Sequence, residues 1–172
     1  MIAEKIEKEV EDLLTHYPEK RSVTLMALHA VQEYYGYVSN EAIEWIAKKL
    51  GLEPISVLEL VTFYPMFSQL PLGKFHFKVC RTLSCALGGS KKLYDLLCEK
   101  LGLDPEAHGR QTTPDGLFTV EFVECLANCN HAPTLMLNED LYGDLTETSI
   151  LELLVNCEKQ AAKASTKGEK RE

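Results

Sequence analysis

Four cysteines in two close pairs constrain this chain more than any other feature of its sequence. Cys80 and Cys85 enclose four residues, Cys125 and Cys129 enclose three, and 39 residues separate the two pairs. Four thiolates are the ligand set of [2Fe–2S] and [4Fe–4S] clusters, and they also bind structural Zn²⁺. The pattern therefore predicts that two loops from distant parts of the chain meet around a metal centre.

The spacing within each pair helps to separate these alternatives. A structural zinc site typically uses two C-x2-C knuckles, and neither C-x4-C nor C-x3-C has that form. A cluster with two metals needs ligands that are spread further apart than those of one tetrahedral ion. Disulfides would require an exported protein. The spacing favours an iron–sulfur cluster and leaves a structural zinc module and redox thiols as open alternatives.

Composition limits the compartment and the partners of the chain. The 172 residues contain no run of about 18 apolar residues, so we expect no membrane insertion. The acidic N-terminus has no apolar signal region, which predicts a cytoplasmic protein whose thiols stay reduced. The net charge of −8 and the lack of a basic stripe argue against a nucleic-acid partner.

Residues 1–70 show helical periodicity throughout. Apolar residues recur three and four positions apart, as in amphipathic helices. Gly36 and Gly51 are suited to end the second and third helices, Asn40 to cap the third, and Pro54 to begin the fourth. We therefore predict a small N-terminal bundle of three or four helices.

The period changes to alternation near residues 71–73. From there the sequence predicts the order strand, helix, strand, strand, strand, helix, with a pair of metal-ligating cysteines after each of the first two strands. A helix between those strands allows them to run parallel, and the last two strands form a hairpin. The fold class is thus α+β, with the bundle followed by a thioredoxin-like α/β domain over residues 71–157. The charged tail 158–172 is predicted to lack fixed structure.

Other candidate residues receive simpler interpretations. His131 lies two residues from Cys129, but four cysteines already complete a ligand set, so we interpret it as a loop residue. Cys98 and Cys157 lie on the apolar faces of helices and are interpreted as small buried hydrophobes. The sequence contains no nucleotide-binding glycine motif and no signature of nucleophilic or acid–base catalysis, so we predict no catalytic residues and no NADH site in this chain.

With these motifs in view, the chain resembles the small [2Fe–2S] subunit of NADH:quinone oxidoreductase (respiratory complex I), the NuoE family. The segment 61–67 is similar to the family's T-F-Y-x-x-F motif, and 71–74 to its P-x-G-K/R turn. Residues 80–89 fit its C-x4-C-x3-G pattern, and 124–133 fit E/P-C-L-x-x-C-x-x-A-P. Ala127 departs from the family, which often has glycine at this position.

The resemblance implies a function. Cys80, Cys85, Cys125 and Cys129 would ligate one [2Fe–2S] cluster, which would accept single electrons from the FMN of a partner flavoprotein that oxidises NADH. The chain would then be a subunit of an enzyme complex at the inner face of the cell membrane. Two alternatives remain open: the equivalent subunit of a soluble NAD-dependent hydrogenase or formate dehydrogenase, and a thioredoxin-like ferredoxin that acts on its own.

The helical bundle is the expected docking surface for the flavoprotein. Aromatic residues are enriched at protein interfaces, and the bundle contains four candidates. These candidates are Tyr34, Tyr35, Tyr37 and Trp45.

Overall fold

A computed structural model describes residues 2–168 of the chain. It divides the protein into two compact units, Met1–Pro71 and Leu72–Glu172. The division falls at the change from helical to alternating periodicity. Each unit has its own hydrophobic core.

The first unit is helical. Its apolar stripes form a core that includes Ile6, Val31, Ile46 and Val57, each at most 1% exposed. A short 3-10 turn, Lys20–Val23, precedes the second helix. The helices are α1 Glu4–His16, α2 Thr24–Tyr35, α3 Asn40–Leu50 and α4 Pro54–Phe63.

The ends of these helices follow from local chemistry. Gly36 and Gly51 end α2 and α3 in the left-handed conformation, with φ of 80° and 70°, which glycine adopts without a Cβ penalty. The prediction that Asn40 caps α3 is wrong, because Ser39 is the cap. Its side chain accepts a hydrogen bond from the Ala42 N–H at 3.2 Å.

The second unit is a five-stranded sheet with helices. The strand order is β2-β3-β1-β4-β5, in which β1 runs parallel to β3 and the other neighbours are antiparallel. The strands are β1 Phe75–Cys80, β2 Gln111–Thr112, β3 Phe118–Val123, β4 Leu135–Leu137 and β5 Asp140–Tyr142. The helices are α5 Leu83–Leu87, α6 Ser90–Leu101 and α7 Glu147–Gly168.

The core of this unit lies between the sheet and the helices α6 and α7. Phe77 and Val120 sit side by side on β1 and β3 and are fully buried, as is Leu97 on α6. Tyr94 stacks on Phe122, with ring centroids 3.8 Å apart. This packing gives β1 and β3 a rigid backing, from which the two cysteine pairs extend.

Two elements of this unit were not predicted. The short strand β2 adds an antiparallel edge to β3, although only two residues pair. Helix α5 occupies the end of the first cysteine loop and the residues after it, where the sequence predicts irregular structure. Both are too short to show a period of their own.

The prediction of an unstructured tail from residue 158 is wrong for the residues that the structure describes. Helix α7 continues to Gly168, and the remaining residues 169–172 lie outside the described part of the chain. The tail is rich in Ala, Lys and Glu, which have high helix propensity and can extend a helix that the core has nucleated. No helix among residues 2–168 is both long and apolar enough to span a bilayer.

Candidate metal centre

The two cysteine pairs meet at one end of the sheet, where the central strands β1 and β3 terminate. Strands β1 and β3 are parallel, and Cys80 pairs in register with Val123, so their carboxyl ends lie together. The chain leaves β3 at this end, passes through Cys125 and Cys129, and returns as the antiparallel strand β4. The topology therefore brings together four cysteines that lie far apart in sequence.

The first pair is held by regular structure. Cys80 is the last residue of β1, and its N–H donates to the Thr134 carbonyl at 3.1 Å. Cys85 lies within α5 and faces inward. Both residues are 2% exposed. Their positions are set by a strand end and a helix face, which leave the side chains little freedom.

The second pair lies on a loop that ends in a short 3-10 turn, Cys129–His131. Cys125 and Cys129 are exposed, and their Sγ atoms are 3.5 Å apart. The Ala127 N–H donates to Cys125 Sγ at 3.3 Å. The loop ends at Ala132 and Pro133, which are joined by a cis peptide bond.

The thiols of the two pairs interact with one another. The Cys80 and Cys85 thiols lie close enough to shift each other's pKa, and Cys80 also acts electrostatically on Cys129. The thiols of the two pairs therefore lie close to one another. Across residues 2–168, no three His, Cys, Asp or Glu side chains converge tightly enough to hold one single metal ion.

The environment shifts the pKa values of the thiols in different directions. Burial alone would raise the pKa of Cys80, but hydrogen bonds from the backbones of Thr82 and Leu126 outweigh it, and the pKa lies below its ordinary value. Burial and the neighbouring Cys80 raise the pKa of Cys85. The contact with Cys125 raises the pKa of Cys129. Adjacent thiols oppose each other's ionisation, and bound iron would remove that opposition by supplying positive charge.

The site offers donors that suit the sulfur atoms of a cluster. The Thr82 Oγ1 is buried and has no well-formed hydrogen bond among the described residues, although it lies against the Cys80 thiol. A buried hydroxyl normally has a partner. A thiolate or a cluster sulfide would provide one, and the N–H groups near Leu126 and at Ala127 are further donors. The residues present therefore fit an iron–sulfur cluster.

Contacts from elsewhere in the unit fix the second loop. The Thr134 Oγ1 donates to the His131 carbonyl at 3.0 Å. The Asp144 N–H donates to the same carbonyl at 2.7 Å, and the Asp144 carboxylate lies 2.6 Å from His131 Nδ1. His131 is thus a structural loop residue in this geometry, and its side chain is paired with a carboxylate.

Two glycines allow close packing around the loop. A Cβ on Gly88 would lie 3.2 Å from the Pro133 nitrogen, and a Cβ on Gly143 would lie only 2.6 Å from the His131 Cβ. The chain on both sides therefore approaches the loop more closely than other residues would permit.

Ala127 has a left-handed backbone, with φ of 59°. This conformation costs an L-residue roughly 1–2 kcal/mol, because its Cβ crowds the following carbonyl. An alanine at this position, where a glycine would carry no such cost, therefore strains the centre of the loop between Cys125 and Cys129.

The other two cysteines lie apart from this centre. Cys98 and Cys157 are 0% and 2% exposed and pack in the core of the sheet unit. Burial raises the pKa of Cys98, and it raises that of Cys157 to about 11, so both stay protonated near neutral pH. They are buried hydrophobes, as the sequence predicts.

The aromatic candidates of the bundle differ in exposure. Tyr34 and Tyr35 are 51% and 38% exposed and contact each other edge to face. Tyr37 is partly buried, and the partly buried Trp45 packs against the bundle core. Only the two exposed tyrosines have the accessibility of surface anchors.

Sequence reasoning missed other residues near the site. Thr82, Leu83 and Leu87 lie beside the first pair, and no motif in the sequence marks them as functional. Neither the exposure of the two leucines nor the lack of a hydrogen-bond partner for the Thr82 hydroxyl can be read from the sequence. An apolar repeat four residues apart around Cys85 is the one signal that could have indicated an exposed helical face.

Comparisons with known proteins place the chain in a family. The model of the thioredoxin-like [2Fe–2S] ferredoxin family matches residues 10–158. NADH-quinone oxidoreductase subunit 2 of Thermus thermophilus is 38% identical over 148 residues, which cover 85% of this chain and 80% of that protein. A corresponding NADH-quinone oxidoreductase subunit of Rhizobium meliloti is 37% identical, with 86% of this chain and 85% of that protein covered.

A solved structure shows the same fold at lower identity. An NAD⁺-reducing [NiFe]-hydrogenase chain matches 80% of this chain with a TM-score of 0.68 and 21% identity. This chain spans 23% of that hydrogenase chain, so the match concerns one part of it. With the four thiols gathered at the end of the sheet and relatives matched over most of the sequence, this chain belongs to the thioredoxin-like [2Fe–2S] ferredoxin family, alongside these NADH-quinone oxidoreductase subunits.

Proposed function

We propose that this chain is an electron-transfer subunit of an NADH:quinone oxidoreductase. In this proposal Cys80, Cys85, Cys125 and Cys129 ligate one [2Fe–2S] cluster, and a partner flavoprotein supplies the electrons from NADH through its FMN. The observation that supports it most strongly is the meeting of the four thiols at one end of the sheet, in a chain of a [2Fe–2S] family.

The residues of the chain have defined tasks in this function. When bound, the cluster accepts and releases one electron. The buried Cys80 and Cys85 keep water from one side of it, while the exposed Cys125 and Cys129 lie near the surface, where a partner can approach. The donors around Cys80 stabilise the negative charge that an added electron brings, because hydrogen bonds to sulfur favour the more negative state.

The partner must supply what this sequence lacks. No nucleotide-binding motif is present, whereas the relatives are named as subunits of an NADH-quinone oxidoreductase. We therefore assign NADH and FMN to another subunit, and we place the complex at the inner face of the cell membrane. Exposed Tyr34 on the bundle is an anchor in this arrangement, and Tyr34→Ala should weaken the complex without changing the cluster content.

One measurement tests the cluster directly. Anaerobically purified protein should contain iron and acid-labile sulfide in the ratio of a [2Fe–2S] cluster, and dithionite should produce an S = 1/2 EPR signal that persists well above helium temperature. Zinc without sulfide, together with failed anaerobic reconstitution, would instead identify a structural zinc module and end the electron-transfer proposal.

A second measurement tests the complex. A tagged chain purified from detergent-solubilised cells should retain a flavoprotein and membrane subunits that reduce quinone with NADH. Recovery with soluble hydrogenase or formate dehydrogenase subunits would assign the chain to one of those complexes, and recovery with no partner would favour an independent ferredoxin.

A further inference from the structure

Thr134 contacts both cysteine pairs from one buried position. It lies directly before β4 and is 1% exposed. Its carbonyl accepts a hydrogen bond from the Cys80 N–H at 3.1 Å, whereas its side chain lies against the loop of the second pair. One residue therefore touches a segment of each pair.

The same residue reaches the Cys85 thiol. Burial and the neighbouring Cys80 raise the pKa of this thiol, and the backbone and hydroxyl of Thr134 act in the opposite direction. The packing agrees with this contact, because a Cβ on Gly88, three residues after Cys85, would lie 3.2 Å from the Pro133 nitrogen. Thr134 thus lies beside both members of the first pair.

The Thr134 hydroxyl has three acceptors near it. Its oxygen is 3.0 Å from the His131 carbonyl oxygen and 3.3 Å from the Asn128 carbonyl oxygen. The third acceptor is the Cys85 sulfur. A hydroxyl carries a single proton, which rotation about the C–O bond can direct to different acceptors. The partner of this proton therefore depends on which acceptor is the most negative.

Both carbonyls of the loop have a second donor. The Asp144 N–H donates to the His131 carbonyl at 2.7 Å, and the His131 N–H donates to the Asn128 carbonyl at 3.1 Å. The loop keeps these two bonds if the hydroxyl turns away from it. A thiolate is the stronger acceptor, because hydrogen bonds to an ionised group are roughly twice as strong as those between neutral groups.

We propose that Thr134 is a positioning residue that joins the two cysteine pairs, and that its hydroxyl turns from the second loop to the Cys85 sulfur when this sulfur binds iron as a thiolate. The inference rests on the proposed function, because it takes Cys85 as a ligand. Hydrogen bonds to ligand sulfur favour the more negative, reduced state. The hydroxyl should therefore raise the midpoint potential of the centre.

The test compares two pairs of residues at position 134 that have or lack a hydroxyl. The native threonine and Thr134→Val form the first pair, and Thr134→Ser and Thr134→Ala form the second. Each full chain is loaded with its cluster anaerobically and titrated potentiometrically by EPR. We expect the member without a hydroxyl to have the lower midpoint potential in both pairs. It should also lose its iron to a chelator about two to ten times faster, as for one lost hydrogen bond.

The metal-free protein separates this role from support of the loop. The N–H groups of Asp144 and His131 still donate to the two carbonyls in Thr134→Val, so this variant should unfold at nearly the native urea concentration without metal. A hydroxyl that only supports the loop would give the opposite pattern. The metal-free variant would then be destabilised, and the potential would stay native.

Thr113→Val is the matched control. Thr113 is also buried, 7% exposed, and its hydroxyl oxygen accepts a hydrogen bond from the Phe118 N–H at 3.0 Å. Phe118 begins β3, at the end of the strand opposite the cysteines. This variant loses a buried hydroxyl away from the site, so it should unfold at a lower urea concentration and keep the native potential.

The outcomes distinguish the inference from the proposed function. Equal potentials within both pairs, with intact clusters, overturn the inference and leave the proposed function standing. A shift in Thr113→Val as large as that in Thr134→Val also overturns it, because the shift would then not depend on the contact with Cys85. A cluster that Thr134→Ser keeps and Thr134→Val loses, at equal metal-free stability, supports the inference. A native chain that assembles no cluster removes the proposed function and the inference together.

Discussion

The two cysteine pairs reach the same end of the sheet by different means. Cys80 ends a central strand and Cys85 faces inward from a helix, so regular structure places the first pair and buries it. Cys125 and Cys129 are exposed on a loop that contains a short 3-10 turn, Cys129–His131, and residues distant in sequence also hold that loop. Regular secondary structure therefore positions the first pair, whereas a short turn and side-chain contacts from other segments hold the second.

This difference has a consequence for how the site responds to change. Substitutions around the first pair should act on the electronic properties of the centre, because the backbone there is rigid. Substitutions around the second pair should act on the stability of the loop and on the retention of the metal centre.

Loss of one cysteine ligand should have the largest effect, and this effect should be equally large for the two pairs. Cys85→Ala and Cys125→Ala should each abolish the stable cluster, because three thiolates leave one iron position open. Iron and sulfide analysis with EPR measures this loss. Cys98→Ala and Cys157→Ala are the controls and should retain the cluster, and a cluster that survives unchanged in Cys125→Ala would disprove the ligand assignment.

Gly143→Ala should disturb the second loop selectively. The added Cβ would meet the His131 Cβ at 2.6 Å and the His131 carbonyl oxygen at 2.9 Å, so one of the two segments must move. We expect a loss of about 1–3 kcal/mol in the free energy of unfolding, as for other overpacked sites. Urea unfolding of the metal-free protein measures it. A variant as stable as the native chain would show that the loop accommodates the added Cβ without a loss in the free energy of unfolding.

Ala127→Gly should have the opposite sign. Relief of the left-handed strain at φ 59° is worth roughly 1–2 kcal/mol, and the greater unfolded-state freedom of glycine offsets part of it. We expect a net gain of about 0.5–1 kcal/mol. Thermal unfolding of the metal-free variant tests this, and a lowered Tm would mean that the strain is absent in solution.

Thr82→Val should change the first pair without loosening it. The side chain keeps its shape but loses the buried hydroxyl beside Cys80. If that hydroxyl donates to the metal centre, the reduced state loses one hydrogen bond, worth about 0.5–1.5 kcal/mol, and the midpoint potential falls. Potentiometric EPR titration measures the shift. Thr82→Ser retains the hydroxyl and should keep the native potential, so equal potentials in both variants would exclude this donor.

Asp144→Asn should have the smallest effect. It removes the contact between the Asp144 carboxylate and His131 Nδ1, which is an ion pair only when the histidine is protonated. Both side chains are more than half exposed, and such contacts contribute at most about 1 kcal/mol. Asparagine also accepts the left-handed backbone at this position, where φ is 53°. The part of the loss that is due to charge should vanish in high salt. A loss that salt does not change would indicate that the carboxylate acts through its contacts and not through charge.

Much of the fold follows from the sequence because its patterns are local. The apolar repeats of the bundle, Gly36 and Gly51 at helix ends, and the alternation in β1 and β3 are read within a few residues. The elements that were missed, β2 and α5, span two and five residues and owe their form to neighbours. The continuation of α7 past Cys157 was not predicted. The segment after Cys157 lacks the large apolar residues that indicate a packed helix, although many of its residues have high helix propensity.

The candidate site divides in the same way. By itself, the sequence determined the chemistry of this protein: the number, type and spacing of the four thiols, and the lack of a nucleotide motif. Tertiary structure alone decided which thiols are buried, how Thr134, Gly143 and Asp144 hold the second loop, and where Leu83 and Leu87 face water. The physical reason is the distance along the chain over which each property is determined. Ligand identity is a property of single residues, whereas burial and loop support depend on contacts between segments that sequence patterns do not record.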